Sequence, residues 1–164
     1  MDESHIEDIL EEAQTLFERP GDRFEEGLDV GNPTLVQLRK ACRLLDAATF
    51  LQQQDGYYTV IVEASFAAIE RTIQFYLLDA DLLHPDEYIN HEAVYQRGKD
   101  AGLYGDEFAG KLTTLWRNNR SDTYYREGIA TEPRAEKMLE LATAIHSHAL
   151  QLAGKRHECI CETA

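Results

Sequence analysis

Positive charge is what this chain has least of. Five lysines (Lys40, Lys99, Lys111, Lys137 and Lys155) and eleven arginines stand against thirty acidic residues, for a formal net charge of −14. A protein that coats nucleic acid needs a net positive surface to displace counterions from phosphate, so that class is excluded and any RNA contact has to be local. So acidic a surface suits a salt-rich cytoplasm, where like charges are screened from one another. The alternative reading is an ordinary acidic protein.

Long hydrophobic runs are missing too. Nowhere do the roughly eighteen apolar residues of a membrane-spanning helix follow one another. The opening MDESHIEDILEEAQ carries neither the basic nor the apolar region of a secretion signal. These absences point to a cytoplasmic protein with no membrane partner. Cysteine is limited to Cys42, Cys159 and Cys161, an odd number whose last two members sit too close for an easy bridge, which argues for a reducing compartment. No glycine-rich phosphate loop, zinc-finger spacing or nucleophile elbow occurs, so no cofactor and no metal are expected.

What is present is helical periodicity, in a chain of 164 residues that is 43% hydrophobic and thus large enough for one core. Asp2 to Glu18 places Ile6, Leu10, Ala13 and Phe17 on one face, and Pro20-Gly21-Asp22 stops the pattern. Gly27 to Pro33 is polar and turn-rich, a linker. From Thr34, Leu35, Leu38, Cys42 and Leu45 recur at helical steps until Gln54-Asp55-Gly56. Tyr57 to Ala80 is apolar on most sides. Its run Val60-Ile61-Val62 has strand character, but the 3.6-residue period that follows through Phe66, Ile69, Ile73 and Leu77, and the lack of a second strand to pair with, make it a helix. His91 to Leu103 and Asp106 to Asn119 read as two more helices. The last begins near Thr131, with Pro133 in its first turn, and runs to about Ala153. The expected fold is all-α: an antiparallel bundle of about five long helices over 34–154, preceded by an amphipathic helix and linker at 1–33 and followed by a flexible tail at 155–164.

The segment Trp116-Arg117-Asn118-Asn119-Arg120-Ser121-Asp122-Thr123-Tyr124-Tyr125-Arg126 concentrates polar and aromatic groups between two core helices. A guanidinium is always charged and its planar fork matches phosphate oxygens, so Arg117, Arg120 and Arg126 are candidate nucleic-acid ligands. The competing explanation is structural: an Arg117–Asp122 ion pair that closes the turn, with Arg120 and Arg126 solvated.

This segment resembles the motif of HEPN domains, in which a helix ends in an arginine and a polar residue, with a histidine four to six positions on and often a tyrosine two places further. Arg117 and Asn118 match its opening, Asp122 stands at the histidine position, and Tyr124 stands at the tyrosine. The resemblance runs from about Glu63 to Leu152: EASFAAIERTIQFYLL is similar to the family's central helix, NHEAVYQRGKDAGLY to the next, and ATEPRAEKMLELATAIHSHALQLA to the closing one. It implies a HEPN-like bundle, a homodimer, and a prokaryotic defence or toxin–antitoxin setting. It also implies metal-independent RNA cleavage between protomers with arginine on the scissile phosphate, which makes Arg117, Asn118 and Asp122 the candidate catalytic set, and Tyr124 as acceptor of a nucleotide from a cognate antitoxin or nucleotidyltransferase. Asp122 departs from the pattern, because an aspartate with a pKa near 4 is ionised at neutral pH, donates no proton and repels phosphate. Two readings follow: an RNA-directed protein with a degenerate ribonuclease motif, or a non-catalytic HEPN-like module that binds a protein partner or nucleotide.

Two further groups have metal-ligand chemistry. His146 and His148, two apart on a helix, point to nearly opposite sides and cannot reach one site. His157, Cys159 and Cys161 offer soft ligands in the tail but no closed four-ligand set, so the tail reads as unstructured.

Overall fold

The periodicity yields six α-helices in the computed structural model: α1 Glu3–Glu18, α2 Pro33–Gln52, α3 Tyr58–Asp79, α4 Ala93–Asp100, α5 Asp106–Asn118 and α6 Glu132–Ala153. A π-helical turn spans Asn119–Tyr124 and a 3-10 turn spans Arg156–Glu158. The structure describes residues 3–19, 21, 24–124 and 126–162, with the side chains of 3, 123 and 124 outside that description; no strand occurs among the described residues. The fold is therefore all-helical.

Local chemistry sets the helix starts. Asn32 has extended backbone, and its side-chain oxygen accepts from the amides of Thr34 and Leu35 at 3.0 and 3.4 Å. With Pro33 in the first turn, the entry into α2 is fixed by an N-cap and a preset φ. Thr131 occupies the extended N-cap position of α6, as its sequence position suggests, but its side chain makes no capping bond.

α3 is the centre of the molecule, packed against α2, α4 and α6. Ile61, Val62, Phe66, Ile69, Ile73, Phe75 and Leu77 are all buried, while a stripe through Val60, Glu63, Ala67, Arg71 and Gln74 stays at least partly exposed, which is why its sequence is apolar on most sides but not on all. The β-branched run Val60-Ile61-Val62 is its first turn, helical because packing outweighs an intrinsic preference of a few tenths of a kcal/mol per residue (~0.5).

Residues that the sequence places in a linker and a loose tail lie against α2. Arg39 Nη1 and Arg43 Nη2 donate to the carbonyls of Gly27 and Glu26, both at 3.0 Å. α6 ends at Gly154, whose φ of 67° suits the left-handed stop position, and the Lys155 amide returns to the Leu150 carbonyl at 3.0 Å. The chain then turns back over the helices. Ile160, Cys159 and Cys161 pack on a small cluster of Leu38, Cys42, Phe75 and Leu150. Arg39 pairs with Glu158 at 3.1 Å, and the Glu162 amide donates to Asp46 at 3.0 Å. α1 by contrast presents Ile6, Leu10 and Phe17 to solvent.

Gly98 in α4 is held to a single residue type by its neighbours. A Cβ there would lie 2.5 Å from Tyr104 Oη and 3.2 Å from Ile73 Cγ2. Tyr104 is anchored, because its hydroxyl donates to the Tyr95 carbonyl at 2.8 Å. Alanine is favoured over glycine in a helix by about 1 kcal/mol, yet Gly98→Ala is expected to destabilise by about 1–3 kcal/mol through overpacking. A urea midpoint above that of the wild type would contradict this.

Candidate functional site

α5 carries its polar end into the π-helical turn Asn119–Tyr124, where the hydrogen-bond register slips by one residue. The predicted site residues fall on two faces. Asn118 and Asp122 line a cleft of about 390 Å³ with Arg134 and Lys137 of α6, over Val62 and Phe66. Arg117 is not among its walls; it is ion-paired with Glu92, just ahead of α4. Arg117 therefore pairs with Glu92 and not with Asp122 as a closing ion pair of the turn would require. Asp122 is exposed. Its carboxylate accepts from Ser121 Oγ at 3.2 Å, and its carbonyl accepts from the Gly128 amide at 2.9 Å, closing the loop. Asn119 is buried, with Nδ2 donating to Glu63 at 2.8 Å and Oδ1 left without a hydrogen-bond partner. Arg120 lies over the Trp116 ring, 5.5 Å from its centroid, and Arg126 is exposed in the loop that follows. The side chain of Tyr124 falls outside the described residues.

On the Trp116 side, three groups that sequence reasoning did not assemble come together. Glu70 of α3 is only 4% exposed. Tyr95 Oη donates to one of its oxygens at 3.0 Å, and His91 Nδ1 lies 2.5 Å from the other. The His91 ring stacks on Trp116 with centroids 6.3 Å apart and planes 18° apart, while Tyr95 meets the same ring at a tilt. Burial, reinforced by the Glu70 charge, pushes the Tyr95 phenol far above its ordinary value, so Tyr95 keeps the proton that it donates to Glu70. The result is an imidazole fixed at Nδ1 by a buried carboxylate and still half-exposed. The sequence did carry one signal: Glu70 falls at helical spacing from Phe66, Ile73 and Leu77, on the apolar side of α3, and a buried carboxylate requires partners.

A second constellation lies below the C-terminal segment. Cys42 from α2, His146 from α6, and Cys159 and Cys161 from the returning chain bring one donor atom each within 4.8 Å of all the others. His146 Nε2 is 3.6 Å from the Cys42 sulfur, 3.7 Å from that of Cys159 and 3.6 Å from that of Cys161, and the Cys42 and Cys159 sulfurs are 3.7 Å apart. Hydrogen bonding from Cys161, Cys42 and His146 holds the Cys159 thiol well below its ordinary value. The contact with Cys159 pushes Cys42 up to about 11 and raises Cys161 as well. His148 faces elsewhere, with Nε2 3.0 Å from the Leu103 carbonyl, as the two-residue spacing requires. Of the tail's three candidate ligands, Cys159 and Cys161 are joined by Cys42 and His146 from helices distant in sequence, while His157 stands apart with Nε2 3.5 Å from Glu158.

Taken together, the fold and these groups define an all-helical protein in which no described helix is long and apolar enough to cross a membrane, with a buried-carboxylate imidazole on one side and a thiol-rich donor set on another. The chain belongs to the family of the domain of unknown function DUF8154, whose model matches residues 1–161. No curated protein and no solved structure matches it.

Proposed function

We propose that this protein is a HEPN-like, RNA-directed protein of a prokaryotic defence or toxin–antitoxin system, acting in the cytoplasm. In this reading α2 to α6 form the HEPN-like bundle, Arg117 and Arg120 hold phosphate, and His91 exchanges the proton that Asp122 cannot. The observation that carries it is the stacking of His91, oriented by buried Glu70, on Trp116, the residue that precedes Arg117 and underlies Arg120. A carboxylate-oriented imidazole is a general acid–base arrangement, and guanidinium forks beside it suit a phosphodiester. Arg117 must leave Glu92 to take a phosphate. Both partners are about half-exposed, and such surface pairs are worth only about 0–1 kcal/mol, so a phosphate competes easily.

A homodimer belongs to the same reading, supported by the apolar face of α1, where Phe17 is 91% exposed. A monomer in sedimentation would remove it. The second reading, a non-catalytic HEPN-like module binding a protein partner or nucleotide, is favoured by the engagement of Arg117 with Glu92.

The deciding experiment incubates the protein and Arg117→Ala with total RNA in chelator and high salt, with circular dichroism alongside to confirm that the fold persists. Wild type is expected to cleave and Arg117→Ala to cleave at least about 10-fold more slowly, as loss of a charge-assisted contact of about 1.5–3 kcal/mol implies. Equal cleavage would sink the role of Arg117, and no cleavage by either would favour the binding module.

A further inference from the structure

We propose that Cys42, His146, Cys159 and Cys161 form a structural zinc site that staples the C-terminal segment onto α2 and α6. Four donors on a tetrahedron around zinc, with Zn–S about 2.3 Å and Zn–N about 2.05 Å, stand about 3.8 Å apart for two sulfurs and about 3.6 Å for sulfur and nitrogen. The three nitrogen–sulfur separations here are 3.6, 3.7 and 3.6 Å, and the Cys42–Cys159 separation is 3.7 Å. The donors come from three places in the chain, so no local turn explains their convergence.

The surroundings favour an ion over packing alone. His146 is buried, and its Nδ1 lies 3.0 Å from the hydroxyl of buried Thr72. With Nδ1–H donating to Thr72, the lone pair of Nε2 is directed at the three sulfurs, as an outer partner does for a metal-bound histidine. The Cys161 amide lies 3.5 Å from the Cys159 sulfur, a donor suited to a thiolate. Three thiolates and an imidazole select a borderline-soft, tetrahedral divalent ion and disfavour calcium or magnesium, which take oxygen. A closed set of four leaves no open position for substrate, so the role is structural. A cleft of about 260 Å³ lined by His146, Cys159 and Cys161 gives the ion a way in. Binding of a hydrated zinc ion forms three Zn–S bonds and one Zn–N bond, breaks the ion's bonds to its water ligands, releases those waters and the thiol protons to solvent, and changes no oxidation state.

A Cys42–Cys159 disulfide is the competing outcome. It would draw those sulfurs to about 2.05 Å and leave Cys161 and His146 without their shared partner.

The test is native mass spectrometry of the full chain purified without chelator from zinc-supplemented cells, followed by cobalt reconstitution of the stripped protein. One zinc per chain is expected, and the cobalt form should show the intense visible bands of a tetrahedral thiolate site. Cys161→Ser, at a half-buried position of the C-terminal segment, is expected to change those bands. Thr72→Val, which keeps all four ligands, should weaken zinc binding roughly 10–100-fold. Metal-free protein with no tetrahedral cobalt spectrum would overturn the proposal, as would a wild-type mass lower by two hydrogens from a disulfide.

Discussion

Phe75→Ala is expected to destabilise the protein by about 3–5 kcal/mol, which at this chain length lowers the melting temperature by roughly 6–20 °C. Phe75 is fully buried in a cluster with Leu38, Cys42 and Leu150, and Leu35, Tyr76, Ala153, Cys159, Ile160 and Cys161 pack against it. Packed helices close only part of the space left by a lost ring, so the cost of the remaining cavity is added to the lost transfer energy. The same truncation removes the floor beneath the C-terminal segment, so amide exchange over 155–162 should accelerate more than exchange in α5. Calorimetry with hydrogen exchange checks both effects. A loss under about 1 kcal/mol, within the range of surface substitutions, would mean that the segment and helices are held by something other than this packing.

His91→Ala is expected to slow RNA cleavage by roughly 10²–10⁴-fold, the usual contribution of a positioned acid–base group. It should leave the melting temperature nearly unchanged, since the side chain is half-exposed. Glu70→Gln keeps an acceptor for the Tyr95 hydroxyl but removes the charge that fixes the imidazole, so a smaller loss of rate is expected from it. Asp122→Asn should change little, because Asp122 faces the opposite cleft with Asn118. Full activity in His91→Ala together with loss in Asp122→Asn would reverse these assignments. Paired measurement of cleavage rate and melting separates an acid–base role from simple disruption of the Glu70–Tyr95 hydrogen bonding.

The helices were legible because they rest on local physics. Periodicity located α2, α3 and α6 to within a few residues, and even the strand-like Val60-Ile61-Val62 yielded to the 3.6-residue pattern beyond it. The two-residue spacing of His146 and His148 correctly separated their faces. What stayed hidden depends on tertiary juxtaposition. Nothing local joins Cys42 to Cys161, which meet because α2 and α6 both pack beside α3 and the chain doubles back after Gly154. His91 meets Glu70 across the α3–α4 packing in the same way. The π-helical turn was invisible for a different reason: a polar run such as Asn119-Arg120-Ser121-Asp122 has no apolar period from which to read a register, so the direction of Arg117 relative to Asp122 was undetermined.

Trp116 is the single tryptophan of the chain, which makes its fluorescence a direct reporter of the surface where His91, Arg117 and Arg120 are proposed to meet RNA. Titration with a single-stranded RNA oligonucleotide in high salt is the most direct test. The account predicts a saturable change in Trp116 emission, weakened by Arg117→Ala and by Arg120→Ala and unaffected by Asp122→Asn. Emission that stays flat with RNA, or that responds equally in all three variants, would contradict it.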